Sequence, residues 1–367
     1  MEKHDTAKAL AEKLALLCEG QPPAVVMEVC GTHTQSAARC NLRALLPANM
    51  RLISGPGCPV CVTGGDTIAK AIALARRPHT CVCTFGDMLR VPVRLALPDG
   101  GCCESSLLRE RGLGRDVRMA LSPLEALAAA EAEPDKDFVW FGVGFETTAP
   151  HTAALVQKAK ARGVRNLTVL CAHKTMPAAL CALLGAGESP VTALLCPGHV
   201  AAVTGAEAFR FVPEKLGLPA AVAGFAPEEM LSALTALAEM LRSGTPGLRN
   251  MYPAAVRAQG NPAALALMNE VFEPCAAVWR GLGEIAGSGL RLRDACAAFD
   301  AERRFCPAGA AAPDDEKGCR CGEILRGAAA PRSCPLFGTA CTPDSPRGPC
   351  MVSSEGACAA EYRYGAK

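Results

Sequence analysis

The stretch Asp137-Phe138-Val139-Trp140-Phe141-Gly142-Val143-Gly144-Phe145 is an apolar run of strand length with no polar alternation. A polar turn follows it, Glu146-Thr147-Thr148-Ala149-Pro150. A helical stretch then reaches Ala161, and a second apolar run occupies Leu167–Cys171. A strand that is apolar on both faces is buried on both faces. Strand, helix and strand in succession predict a parallel sheet with crossover helices.

The same rhythm extends outward from this segment. Further strands are expected at Ala24–Val29, Arg51–Ser54, Thr80–Phe85, Thr192–Leu195 and Ala221–Phe225. Helices are expected at Asp66–Arg76, Ser122–Glu131, Pro177–Leu184 and Pro227–Leu241, and Met1 to Gly20 reads as an amphipathic helix. Gly- and Pro-rich stretches at Leu97–Gly101 and Gly112–Arg115 read as a linker between two such units. After Gly247 the strand pattern fades; Asn261–Gly281 reads as helix, and the chain from Cys306 onward is rich in Pro, Gly and Cys. The expected fold is therefore α/β. Two parallel-sheet domains fill residues 1–118 and 119–247, and a mostly helical and irregular C-terminal domain fills 248–367. That last segment has few large apolar residues, so a bound metal group is expected to supply its core.

Composition narrows the function. The 367 residues fit two or three domains, and half of them are apolar, which excludes disorder. The 38 basic and 36 acidic residues nearly cancel, which argues against a nucleic-acid binder. No secretory signal and no apolar run of membrane-spanning length is found, so a cytoplasmic protein without membrane contact is expected. Cysteine is the outlier, with 21 copies. In an unexported chain such thiols bind metal, carry redox chemistry or act as nucleophiles. The scattered ones, such as Cys81, Cys83, Cys171, Cys181 and Cys196, read mainly as small buried hydrophobes.

The unusual residues fall at expected strand ends, where open α/β sheets bind their ligands. Cys30-Gly31-Thr32-His33-Thr34 follows the first strand, and Gly55-Pro56-Gly57-Cys58-Pro59-Val60-Cys61 follows the second. Glu146-Thr147-Thr148, His173-Lys174 and Cys196-Pro197-Gly198-His199 follow later ones. Cys30, acidified by a helix N-terminus and by His33, would serve as nucleophile or soft metal ligand; the plainer reading is a buried thiol beside an N-cap. Cys58 and Cys61 at C-x-x-C spacing suit a disulfide, a dithiol couple or half a zinc site. No second C-x-x-C exists, so the redox couple is preferred, on a Gly-Pro-Gly turn expected to be tight and exposed. Glu146, Thr147 and Thr148 read equally as an N-cap or as an anion site at a helix start. The C-terminal cysteines, Cys319, Cys321, Cys334, Cys341, Cys350 and Cys358, are spaced widely and irregularly. That spacing favours a [4Fe–4S] cluster over zinc, with a disulfide tail as the third option.

Taken together, these motifs resemble the HypD family of hydrogenase maturation factors. The matching segments are Met27–Thr34, Gly55–Cys61, Thr84–Met88, Gly144–Pro150, Leu195–Val200, Ser288–Leu290 and Phe299–Glu302. The most specific are Cys334–Gly338 and Gly348–Cys358 in the tail. The resemblance implies an accessory factor that assembles the Fe(CN)2CO group of [NiFe]-hydrogenase as scaffold and redox catalyst. It implies a complex with the chaperone HypC, cyanide delivered by HypE, and release of the finished group to the hydrogenase large-subunit precursor. Iron would be held between Cys30 and a cysteine of HypC, and the expected catalytic residues are Cys30, His33, Cys58, Cys61, Glu146, Thr147, Thr148 and His199. A C-terminal [4Fe–4S] cluster would feed electrons to Cys58 and Cys61, as in ferredoxin–thioredoxin reductase. The expected cluster ligands are Cys319, Cys334, Cys341 and Cys358, with Cys321 and Cys350 in reserve. The chain departs from the family pattern between Val93 and Arg118, where Val93 replaces a usual glycine and Cys102-Cys103 is added. Two other readings stand beside this one: a plain thiol–disulfide oxidoreductase and a zinc-stapled binding protein.

Overall fold

The computed structural model describes residues 2–97, 100–185, 189–312 and 318–365. Its strands, in chain order, are β1 Ala24–Glu28, β2 Met50–Ser54, β3 Thr80–Thr84, β4 Val93–Ala96, β5 Cys102–Ser105, β6 Val117–Met119 and β7 Asp137–Gly144. They continue with β8 Leu167–His173, β9 Ala193–Pro197, β10 Ala220–Ala223, β11 Leu248–Asn250, β12 Phe272–Trp279 and β13 Gly283–Leu292. Every strand expected from the apolar runs is present. Several connecting helices carry proline in their first two positions, including Pro123–Ala132, Met176–Leu184 and Pro227–Ser243, where the missing N–H costs nothing.

Two parallel sheets organise the chain. One has the order β11-β10-β9-β1-β2, the other β6-β3-β7-β8. The pairing is in register, with Met27 beside Ile53 and Leu194, and Val139 beside Val82 and Thr168. The sheets do not follow the sequential division at residue 118. The first sheet takes strands from residues 24–54 and again from 193–250; the second, from residues 80–173, is inserted between them. The expected boundary falls inside β6, which pairs with β3 at the sheet edge. Strand pairing answers to buried area, and apolar runs carry no label saying which sheet they join.

Three elements depart from expectation. The helix read over Asn261–Gly281 stops at Val271, and β12 begins at the next residue. Pro274 forbids a continuous helix there, since it lacks an N–H and its ring clashes with the preceding turn. The Asn261 side chain caps the shortened helix by accepting from Ala263 and Ala264 N–H. β12 and β13 form an antiparallel hairpin. The Gly/Pro linker carries a second hairpin, β4–β5, with Cys102 and Cys103 on its return strand. Pro98 and Asp99 of that linker lie outside the described residues.

The tail is not a separate body with its own core. Ile324, Leu325, Met351, Val352 and Ala359 are buried in the same apolar cluster as Val29, Cys61, Phe145 and Trp279. No helix among the described residues is long and apolar enough to cross a membrane. The β12–β13 hairpin locks these parts together. Trp279 is fully buried, stacks on Phe145 at 5.8 Å, and donates its indole N–H to Ser288 Oγ at 2.8 Å. Its neighbour Arg280 donates its N–H to the Val62 carbonyl at 2.9 Å. Trp279→Ala is expected to cost about 3–5 kcal/mol of unfolding free energy, measured by urea titration, through the cavity it leaves.

Candidate thiol and metal centre

The first sheet reverses its winding between β1 and β9: the chain leaves β1 toward β2 on one side, and β9 toward β10 and β11 on the other. Open α/β sheets bind ligands beyond the strand ends at such a switch point. Cys30 follows β1 and His199 follows β9, so both stand at this crevice. The Cys30 sulfur lies 3.8 Å from His199 Nδ1 and 3.9 Å from Nε2. His33 points elsewhere. Its Nε2 is bonded to the Gly224 carbonyl oxygen at 2.8 Å, and its ring packs on Phe225, which also meets His199.

The expected acidification of Cys30 is not found. Burial pushes its thiol up to about 12, the His33 backbone N–H pulls the other way, and the charge of Glu355 adds to the rise. Burial also lowers His33 and His199 to about 4, so both imidazoles are neutral at pH 7. A neutral imidazole therefore faces a protonated thiol across 3.8 Å. Desolvation outweighs the helix N-terminus because the thiol is shut away from water.

The C-x-x-C turn is wedged against this thiol. Gly31 N–H donates to the Gly57 carbonyl at 2.9 Å. A Cβ on Gly57 would stand 2.3 Å from the Cys30 nitrogen, so only glycine permits the approach. Cys58 and Cys61 are joined as a disulfide. Gly55, Pro56, Gly57 and both cysteines are buried, which corrects the expectation of an exposed turn. Tail residues cover it: the Cys61 sulfur lies 3.7 Å from the Pro349 carbonyl oxygen.

Cys350 follows Pro349 directly and belongs to the thiol pocket. Cys319, Cys321, Cys334, Cys341, Cys350 and Cys358 all line one small cavity, walled otherwise by Ile324, Leu336, Phe337, Gly348 and Met351. The sulfurs of Cys321 and Cys350 are 2.7 Å apart, and Arg347 N–H donates to the Cys341 sulfur at 3.3 Å. Burial raises the Cys358 thiol, and the sulfurs of Cys321, Cys341, Cys319 and Cys334 add to the rise. The cavity takes in the two reserve cysteines with the four expected ligands and does not separate them. Among the described residues no set of three His, Cys, Asp or Glu closes around a single-ion position. Six thiols around a shared space, four of them buried and two half-buried, fit a thiolate-ligated [4Fe–4S] cluster by the chemistry of the donor set.

Glu146, Thr147 and Thr148 lie at the end of β7, in the other sheet. Thr148 does not cap its helix with its side chain; its hydroxyl donates back to the Phe145 carbonyl at 3.2 Å. Glu146 is buried and accepts the Met176 N–H at 2.9 Å, so it serves the first turn of a different helix. Burial pushes its carboxyl to about 7, and its second oxygen is buried without a partner. Thr147 is half-buried beside it. His173 accepts or donates at Thr152 Oγ1, 2.8 Å away, where Trp140 Nε1–H also donates.

Two site residues escaped the sequence reading. Glu355 Oε1 accepts from Thr32 Oγ1 at 2.7 Å, and its Cβ fits only because Gly31 has none. Burial raises the Glu355 carboxyl, and the nearby charge of Asp87 adds to this. Asp87 follows β3, so the ends of both sheets and the tail converge near Cys30. Both residues lie in the quoted motifs Thr84–Met88 and Gly348–Cys358, but nothing local marks them as neighbours.

A parallel α/β frame with a switch-point thiol, an adjoining disulfide and a six-thiol pocket defines a thiol-rich α/β protein with its cysteines gathered at one centre. The model of the hydrogenase formation hypA family, HypD, matches residues 5–365. The chain is 45% identical to the hydrogenase maturation factor HypD of Azotobacter vinelandii over 366 residues, covering 98% of this chain and 94% of that one. It is 44% identical to the factor of the same name from Rhizobium leguminosarum bv. viciae over 366 residues, 98% and 93% of the two chains. The identity is 41% with that of Escherichia coli (strain K12) over 345 residues, 93% and 89%. The chain belongs to the HypD family of hydrogenase maturation factors.

The dry environment of Cys30 is directly testable. With a thiol near 12 against an ordinary 9.0, its alkylation by iodoacetamide at pH 8 is expected to run roughly 1000-fold below that of an exposed thiol. The rate should climb about tenfold per pH unit up to that value, measured by peptide-mapped mass spectrometry.

Proposed function

We propose that this chain is the scaffold on which the Fe(CN)2CO group of [NiFe]-hydrogenase is built, in complex with the chaperone HypC. The observation that carries this reading is the continuous contact from Cys30 through Gly57 to the Cys58–Cys61 disulfide, and from Cys61 through Pro349 to the six-cysteine pocket. A soft low-spin iron seeks thiolates, and changing its ligands requires electrons beside it. Iron enters as cargo, held between Cys30 and a cysteine of HypC. Cyanide comes from HypE, and the finished group passes to the hydrogenase large-subunit precursor. All of this takes place in the cytoplasm.

The resting centre is neutral and dry, which suits this task. Cys30 keeps its proton in the absence of a metal, and His199 is placed to take that proton when iron binds. Glu355 disfavours a free thiolate at Cys30, and Asp87 acts in turn on Glu355. In the tail, Cys319, Cys334, Cys341 and Cys358 would hold a [4Fe–4S] cluster, which supplies one-electron redox chemistry when bound. Cys58 and Cys61 would then cycle between disulfide and dithiol. The disulfide also favours a second reading, a thiol–disulfide oxidoreductase acting on a protein substrate, which needs no iron at Cys30.

Infrared spectroscopy of the chain purified anaerobically with HypC separates the two. Bands of metal-bound CO and cyanide are expected in the wild type. They should vanish in Cys30→Ala, with the iron content of the tail unchanged. Bands that persist in Cys30→Ala, or are missing from the wild type, leave the oxidoreductase reading in place.

The ligand set has its own test. Cys334→Ala and Cys341→Ala are each expected to lose most of the iron–sulfur absorbance, while Cys321→Ala and Cys350→Ala keep more of it. Iron and sulfide analysis checks the loss, and zinc in place of iron would support a zinc-stapled tail.

A further inference from the structure

The cysteine pocket shares Cys319, Cys321 and Gly348 with a second cavity, of about 260 Å³, on the outer side. Cys319 and Cys321 are half-buried, whereas the other four thiols of the pocket are buried, so here the pocket comes nearest to solvent. The walls of the outer cavity carry Arg280, Arg320, Arg326 and Arg347. Glu323, a carboxylate on the same wall, is tied to Arg320. Arg326 donates to the Gly281 carbonyl at 2.9 Å and shares the charge of Glu323 with Arg320, so the four guanidinium charges on this wall exceed its one carboxylate by three. Arg347 donates to the Ala340 carbonyl at 3.4 Å and stands 3.9 Å from Glu104. In a chain whose net charge is only +2, this is a marked concentration of positive charge.

We propose that this basic mouth is the docking surface for an acidic electron-carrier protein. The proposal rests on the reading of the inner pocket as a redox centre. Charge complementarity selects the partner. A concave surface of one sign focuses its field and speeds the encounter with a partner of the opposite sign. Its four guanidiniums come from the hairpin tip, the 320–326 segment and the loop at 347, and Arg326 and Arg347 are exposed. Such a spread meets the acidic face of a protein. Its position over Cys319 and Cys321 puts the donor where the path to the pocket is shortest. Two reduced one-electron donors and two protons from water balance the conversion of the Cys58–Cys61 disulfide to two thiols.

The probe is a strongly acidic plant-type [2Fe–2S] ferredoxin, titrated in oxidised form into the anaerobically purified full chain by calorimetry at low salt. Binding is expected to weaken at least tenfold in Arg326→Glu/Arg347→Glu, and similarly when sodium chloride is raised to about 0.3 M. The Arg326→Gln/Arg347→Gln pair should fall between, and thermal melts verify that both variants fold. Reduction of the loaded chain by methyl viologen radical, a small cation, should be no slower in the variants. Ferredoxin affinity that ignores the arginines or the salt overturns the surface, and so does displacement of ferredoxin by micromolar inorganic phosphate, which would mark a small-anion site. Arginine-dependent binding to a chain shown by analysis to hold no iron supports the surface and overturns the cluster reading instead.

Discussion

Everything at the centre depends on a side chain that is absent. The loops after β1 and β2 meet backbone to backbone, with Gly57 pressed on Val29 and Cys30 and its carbonyl bonded to Gly31 N–H. Any Cβ at position 57 would force the loops apart and break that bond. Gly31 repeats the device on its other side, where Glu355 of the tail closes in. The parallel pairing of β1 with β2 makes this contact possible, since it ends both strands at the same level, with Glu28 beside Ser54. A buried thiol, a disulfide and a tail carboxylate are thereby held together without a long side chain between them.

The second consequence of close packing is electrical. Cys30, His33 and His199 are all displaced toward their neutral forms, the thiol upward and the imidazoles downward, by the loss of water. Glu28, two residues before Cys30, is fully buried and shifted the same way, toward its protonated form, although Arg43 and the Ser54 hydroxyl oppose this. A centre of this kind holds no charge of its own to spare. Under the proposed function, iron binding at the Cys30 sulfur would be coupled to the release of its proton.

The β12–β13 hairpin explains how two sheets and a tail act as one structure. Lys174, at the end of β8, donates to the Val278 carbonyl at 2.7 Å and lies over the Trp279 ring. Burial lowers the Lys174 ammonium to about 8. Across the turn, Gly281 packs on Gly322 beside Cys321, with no room for a side chain at Gly281. The hairpin therefore touches the second sheet, the C-x-x-C turn and the cysteine pocket in a few residues.

The sequence by itself determined the α/β class, the order of the long strands and the thiol motifs at their ends, because each follows from local periodicity and residue chemistry. The apolar runs at β1, β3, β7 and β8 were legible for that reason. The three-residue edge strands β6 and β11 were not, since a short edge strand has no apolar run to announce it. The hairpin was hidden by the apolar content of Phe272–Trp279, and Pro274 was its one local sign. Cys30, the C-x-x-C and the six tail cysteines could be named from their motifs, but the partners of Cys30 could not. His33, three residues away, turned to Gly224; His199, 169 residues away, took its place beside the sulfur. Only the tertiary structure decided which histidine meets the thiol, that Glu355 and Asp87 join it, and that burial rather than a helix end sets its protonation. Those outcomes depend on which strands become neighbours and on how much water their packing excludes, and neither quantity is written in any local stretch of the chain.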